Sequence, residues 1–142
     1  MTIIESVKNF ILKCPYLDDL KQVNVDFLPD NPNTYSIEEI PVQPVIRAFV
    51  DGSSERQFVF VFASRLFYSE EIRNNIENSG FFENFQNWLE ECTENDSFPE
   101  MADGLTPYKI EAQSSGYLFD ISGDLRKARY QIQCRLLYDK EK

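Results

Sequence analysis

Few groups in this chain could do acid–base or nucleophilic chemistry. Its most obvious titratable constellations are three pairs of adjacent carboxylates, Glu38-Glu39, Glu70-Glu71 and Glu90-Glu91. Two carboxylates sharing a site can divide acid and base roles, but neighbours on a strand or helix point in diverging directions. Each pair is therefore expected on a solvated surface, where unpaired Glu normally sits. Histidine is absent from the 142 residues. The commonest general base is thus missing, and neither a Ser/His/Asp nor a Cys/His arrangement can be built. Cys14, Cys92 and Cys134 are the three cysteines, with no CxxC spacing. The usual zinc sites are excluded within one chain, and an odd count is no disulfide framework. Each cysteine falls on an apolar periodicity and is expected as a small buried hydrophobe. Neither GxGxxG nor GxxxxGK[ST] occurs, so no phosphate-cradling loop is indicated. The expectation is a protein that is not an enzyme and carries no cofactor and no metal.

One basic cluster, Arg126, Lys127 and Arg129, follows Asp124 in a chain of formal net charge −10 and isoelectric point about 4.4. It reads either as an ordinary solvated loop or as the complement of an acidic patch on a neighbouring subunit. So acidic a surface repels phosphate, and specific nucleic-acid binding is not expected. No run approaches the roughly 20 apolar residues needed to span a bilayer. The N-terminus lacks the charged and apolar regions of a signal peptide, so the expected setting is a reducing cytoplasm.

The elements that must position these residues can be read from periodicity. Thr2 and Glu5 fit a capping box, and Ile4, Val7, Ile11 and Cys14 recur at helical spacing until Pro15 ends the helix. Val23, Val25 and Phe27 alternate as in a strand, and 29–33 is a turn cluster. The segment 35–40 alternates in part and stops at Pro41. Segments 45–50 and 57–64, separated by Asp51-Gly52-Ser53-Ser54, read as a β-hairpin. In its second strand Phe58, Phe60 and Phe62 share one face and Val59, Val61 and Ala63 the other. A strand apolar on both faces should be central, covered by the chain's own helices or, on one face, by a neighbouring subunit. Ser69, Glu70 and Glu71 read as a helix start. The stripe Ile72, Ile76, Phe82, Phe85, Trp88, Leu89 and Cys92 reads as two helices or one kinked helix around Ser79-Gly80. A polar loop covers 94–105, and alternation returns at Tyr108, Ile110 and Ala112, at 116–121 and at 129–138. In the last run Tyr130, Ile132, Cys134, Leu136 and Tyr138 share a face opposite Gln131, Gln133 and Arg135. With 42% hydrophobic and 14% aromatic residues, including twelve Phe, the chain can bury a real core. The reading is a single α+β domain, 1–142, with helices packed on a mostly antiparallel sheet.

Several blocks resemble small proteins from the head–tail region of phages and prophages of low-GC Gram-positive bacteria, known as tail terminator or minor capsid proteins. The blocks are Ile4-Glu5-Ser6-Val7, Phe10-Ile11, Cys14-Pro15, Val50-Asp51-Gly52-Ser53-Ser54, Arg56-Gln57 and Phe60-Val61-Phe62-Ala63-Ser64-Arg65. They continue with Ile76-Glu77-Asn78-Ser79-Gly80-Phe81, Trp88-Leu89-Glu90, Lys109-Ile110-Glu111-Ala112, Gly116-Tyr117-Leu118-Phe119-Asp120 and 128–136. The resemblance implies a virion structural protein that caps the tail tube as a ring, usually of six subunits. Such a ring stops tube polymerisation and forms the head–tail joining surface, or caps tube and sheath in a contractile headless particle. Implied partners are further copies of the chain, the tail tube protein, and a head connector or sheath protein, with DNA passing through without being held. The implied location is the virion tail, assembled in the host bacterial cytoplasm.

The acidity alone suits a different class, a monomeric acidic adaptor or DNA-mimic binding protein. For a ring, the loop at 51–56 (Asp51, Ser53, Arg56) and the segment 124–129 (Arg126, Lys127, Arg129) are the expected subunit or tube contacts. Their charge and expected loop exposure motivate the choice.

Overall fold

A computed structural model describes residues 1–17, 23–28, 34–67, 72–121 and 127–142. Among them two helices, α1 (Ile3–Ile11) and α2 (Ile72–Glu94), accompany seven strands. The strands are β1 (Val23–Val25), β2 (Thr34–Glu39), β3 (Val45–Ala48), β4 (Ser54–Phe67), β5 (Leu105–Ala112), β6 (Tyr117–Ile121) and β7 (Lys127–Lys140). The class is α+β with a mostly antiparallel sheet, in which β1 and β2 form the parallel pair.

Two 14-residue strands, β4 and β7, form the spine and pair from Ser54↔Lys140 to Phe67↔Lys127. At one end β3 lines β4 and β5 lines β7; at the other, β2 with β1 lines β4 and β6 lines β7. Strand alternation sets the core face. Phe58, Phe60 and Phe62 stand opposite Leu136, Cys134 and Ile132 and cluster with Val7, Phe10 and Ile11 of α1 and Phe82, Phe85 and Leu89 of α2. Stacked rings link the layers: Phe62 to Phe85 at 4.5 Å, and Phe10 to Trp88 at 5.0 Å. Such ring pairs each add about 0.5–1.5 kcal/mol beyond the area they bury.

Cys14, Cys92 and Cys134 are all buried and unpaired, and burial raises the thiol pKa of Cys92 and Cys134. Thr2 caps α1, its Oγ1 accepting from the Glu5 amide at 3.2 Å. The helix stops at Ile11, earlier than Pro15. The amides of Lys13 and Cys14 already bond three residues back, to Phe10 and Ile11, a tightening common at helix ends. α2 runs unbroken through Ser79-Gly80, where two helices or a kink were equally open. The start expected at Ser69, Glu70 and Glu71 and the turn cluster 29–33 lie outside the described residues.

Three expectations need correction. β4 begins at Ser54, so the hairpin loop is 49–53 and Arg56 is a strand residue. Polar Ser54, Glu55 and Arg56 read as loop, yet the β3 and β7 ladders on either side hold them. Lys127 and Arg129 likewise belong to β7, Lys127 paired with Phe67 of β4 and Arg129 with Arg65 of β4 and Asp120 of β6, while Arg126 lies outside the described residues. Of the β1 alternation, only Val23 is buried. Asp26 takes a left-handed φ of 55° and ends the strand, and Val25 and Phe27 are exposed.

Candidate functional site

The second face of the sheet carries no described helix. Val59, Val61 and Ala63 nevertheless retain only 3%, 8% and 0% of their accessibility. In register beside them stand Arg135, Gln133 and Gln131 of β7 and, at Val61 and Ala63, Glu38 and Ser36 of β2. These long polar side chains bond to one another across the face. Arg129 donates to Glu38 at 2.7 Å and to Gln131 at 3.0 Å, with its guanidinium 5.2 Å from the Phe119 ring centre. Gln131 donates to the Tyr117 hydroxyl at 2.6 Å. Arg135 donates twice to Glu111 Oε1, at 2.9 and 2.6 Å, and Lys109 pairs with Glu111 at 3.0 Å. Apolar stems of Arg and Gln can cover neighbouring methyls while their heads stay hydrated. Burial disfavours the Glu111 carboxylate, but the Lys109 and Arg135 hydrogen bonds and charges outweigh it, and its pKa is lowered. The valine face is thus covered by polar side chains of the chain's own sheet.

The expected contact residues separate. Arg129 is committed to its own chain. Arg56 donates to Ser54 Oγ at 2.9 Å from within β4. Asp51 and Ser53 sit at the hairpin tip, where Asp51 Oδ1 accepts from the Ser53 amide at 2.9 Å and the Ser53 hydroxyl at 2.6 Å. The hydroxyl bond, then the amide bond, hold the Asp51 carboxyl below its ordinary pKa. Gly52, with φ 94°, completes the turn by donating to the Phe49 carbonyl at 3.0 Å.

Around that tip lies a surface not singled out by charge. Phe49 is exposed and Val50 fully so; Ile46 of β3 is also exposed, as is Val42, which precedes β3 at the end of the hairpin away from the tip. Arg47 stands among them, exposed and without a partner among the described residues. The signal was present in the sequence as the apolar run 45–50, which reads as the first strand of the hairpin. β3 is instead a four-residue edge strand with a bulge between Val45 and Arg47, so its apolar side chains gain no cover.

An open groove of about 370 Å³ lies between α2 and β5, over Ile110 and Ala112, rimmed by Gln86, Glu90, Glu94 and Glu111. Glu38 and Glu39 fall on opposite faces of β2, and Glu90 and Glu91 are exposed on α2. Among the described residues no group of three or more His, Cys, Asp or Glu is placed to hold a metal ion, and no helix is long and apolar enough to cross a membrane. No protein-family model and no curated protein matches the chain.

Proposed function

We propose that this protein is a ring-forming structural subunit, a tail terminator that caps a phage or phage-like tail tube and ends its polymerisation. The observation that supports it best is the exposed apolar hairpin at Ile46, Phe49 and Val50, with Val42 exposed before β3. Contiguous exposed apolar patches on a folded subunit mark contact surfaces. The resemblance of the sequence blocks to tail terminators supplies the biological setting proposed for that contact. The valine face of β4, closed by its own polar layer, is not a reason to expect a neighbour; the hairpin takes over that role.

The test is assembly. Light scattering and negative-stain imaging of the protein over a concentration series, alone and with purified phage tail tubes, should reveal closed rings or tube caps. A protein that stays monomeric at high concentration and ignores tubes overturns the reading.

One observation favours the rival, an acidic binding module. Exposed Glu83, Glu90, Glu91 and Glu94 on α2 run on to Asp96, Glu100 and Asp103. A DNA mimic would capture a nucleic-acid-binding protein through these carboxylates, and replacing the four α2 glutamates with Gln would abolish capture.

A further inference from the structure

We infer that the partner of the hairpin is a second copy of this chain, and that the hairpin end of one subunit seats on the α2–β5 groove of the next. This rests on the ring reading and names the contact within it.

Charge complementarity selects the occupant. The hairpin end offers cations: Arg47, without a hydrogen-bond or ion-pair partner among the described residues, and Lys142, whose side chain lies beside Gly52. Asp51 keeps its negative charge while Ser53 holds it, and Glu55, across from Arg47, accepts from the Tyr108 hydroxyl. The groove offers the opposite sign. Glu90 and Glu94 on its rim are exposed and have no partner among the described residues. They also stand at the C-terminal end of α2, where the helix dipole disfavours negative charge and no basic residue occupies the last turn. A cation arriving from a neighbour relieves both. Glu111, by contrast, is already held by Lys109 and Arg135. At the groove floor Ala112 is partly exposed and can meet Phe49 or Val50, while Ile110 beneath it is buried in the core.

Position points to a neighbour. The strand order in this half of the sheet is β3-β4-β7-β5, shown by the chain of pairs Val45↔Arg56↔Tyr138↔Pro107. Hairpin and groove therefore belong to opposite edges, separated by three strand spacings, roughly 14 Å. A subunit's hairpin strand and its own groove lie apart across the sheet, and the contact joins two different patches. Such a heterologous contact closes into a ring when its rotation divides the circle. Thr93 occupies the backbone of β5 at Ile110, so the contact is made by side chains and not by an added strand.

Cross-linking tests it, because the three native cysteines are buried. A Val50→Cys variant mixed with a Glu90→Cys variant and treated with a short bis-maleimide should give a covalent dimer. The double variant should give a ladder of higher multimers, and each single variant alone should stay monomeric on a denaturing gel. Separately, Arg47→Glu should weaken self-association by about tenfold or more, and Glu90→Arg with Glu94→Arg should restore it. Multimers in solution without the 50–90 cross-link overturn this contact and leave the ring reading standing. Cross-linking of Val50→Cys to itself also overturns it, in favour of a two-fold hairpin pair. A protein monomeric under all conditions removes both readings.

Discussion

Thr93 Oγ1, near the end of α2, donates to the Ile110 carbonyl oxygen at 2.8 Å and accepts from the Ile110 amide at 3.2 Å. One hydroxyl thus satisfies both backbone groups of a buried residue on β5, a strand paired with β7 on one side. It occupies backbone positions that another strand would use, one way proteins blunt a sheet edge. Removing one partner of a buried hydrogen bond costs about 1–3 kcal/mol. Thr93→Val should therefore lower the unfolding free energy by about that amount in urea titration and speed hydrogen exchange at the Ile110 amide. Thr93→Ser, which keeps the hydroxyl, should recover most of the loss.

Arg129 is expected, from its charge, at a subunit or tube contact. Its bonds to Glu38 and Gln131 and its place over Phe119 change that expectation. Exposed ion pairs contribute about 0.2–1 kcal/mol and exposed cation–π contacts about 0.5–1. Arg129→Glu removes both and sets two carboxylates face to face. It should cost about 1–2 kcal/mol in chemical denaturation of the monomer, by the same magnitudes. Adding Glu38→Arg should return part of it. A reversal without effect on stability would return Arg129 to the list of contact residues.

The contrast between Phe62 and Arg129 shows where sequence reading stops. The alternation of Phe58, Phe60 and Phe62 is local, and burial of that face followed from it, as did the opposite-face reading of Val59, Val61 and Ala63. What covers the second face depends on residues up to 91 positions apart, as with Glu38 and Arg129, and no period reports such pairing. Local polarity also misled at Ser54, Glu55 and Arg56, which are strand because two neighbours pair with them. The apolar run 45–50 shows the other side of this: its strand stops at Ala48, and as an edge strand it has no second neighbour to cover it. Among the candidate contacts, the tip at Asp51 and Ser53 was legible from its turn residues. The groove was not, since it exists only where α2 meets β5.

Gly116 precedes β6 and packs against the Phe82 ring of α2. A Cβ at 116 would run into Cβ and Cγ of Phe82, a buried core residue with little room to move. Overpacking of this kind typically costs about 1–3 kcal/mol. Gly116→Ala should lower the thermal midpoint accordingly. Gly80, whose Cβ would meet nothing within 4 Å, is the control. Gly80→Ala in the middle of α2 should instead stabilise by about 0.5–1 kcal/mol, because Ala loses less backbone freedom in a helix.

Tyr108 supplies a pH dependence whose sign can be worked out. Its hydroxyl donates to Glu55 on β4. Burial first, then the Glu55 hydrogen bond and charge, push its pKa from the ordinary 10.0 to about 12. The folded state therefore holds the proton more tightly than the unfolded chain does. Stability from this group is complete below about pH 10 and is lost as pH climbs through about 12, because the unfolded chain releases the proton first. Urea titrations between pH 9 and 12 should show a decline that is smaller in Tyr108→Phe. Absorbance at 295 nm should show one tyrosine fewer ionising near pH 12 in that variant, and loss of a signal near pH 10 instead would refute the assignment.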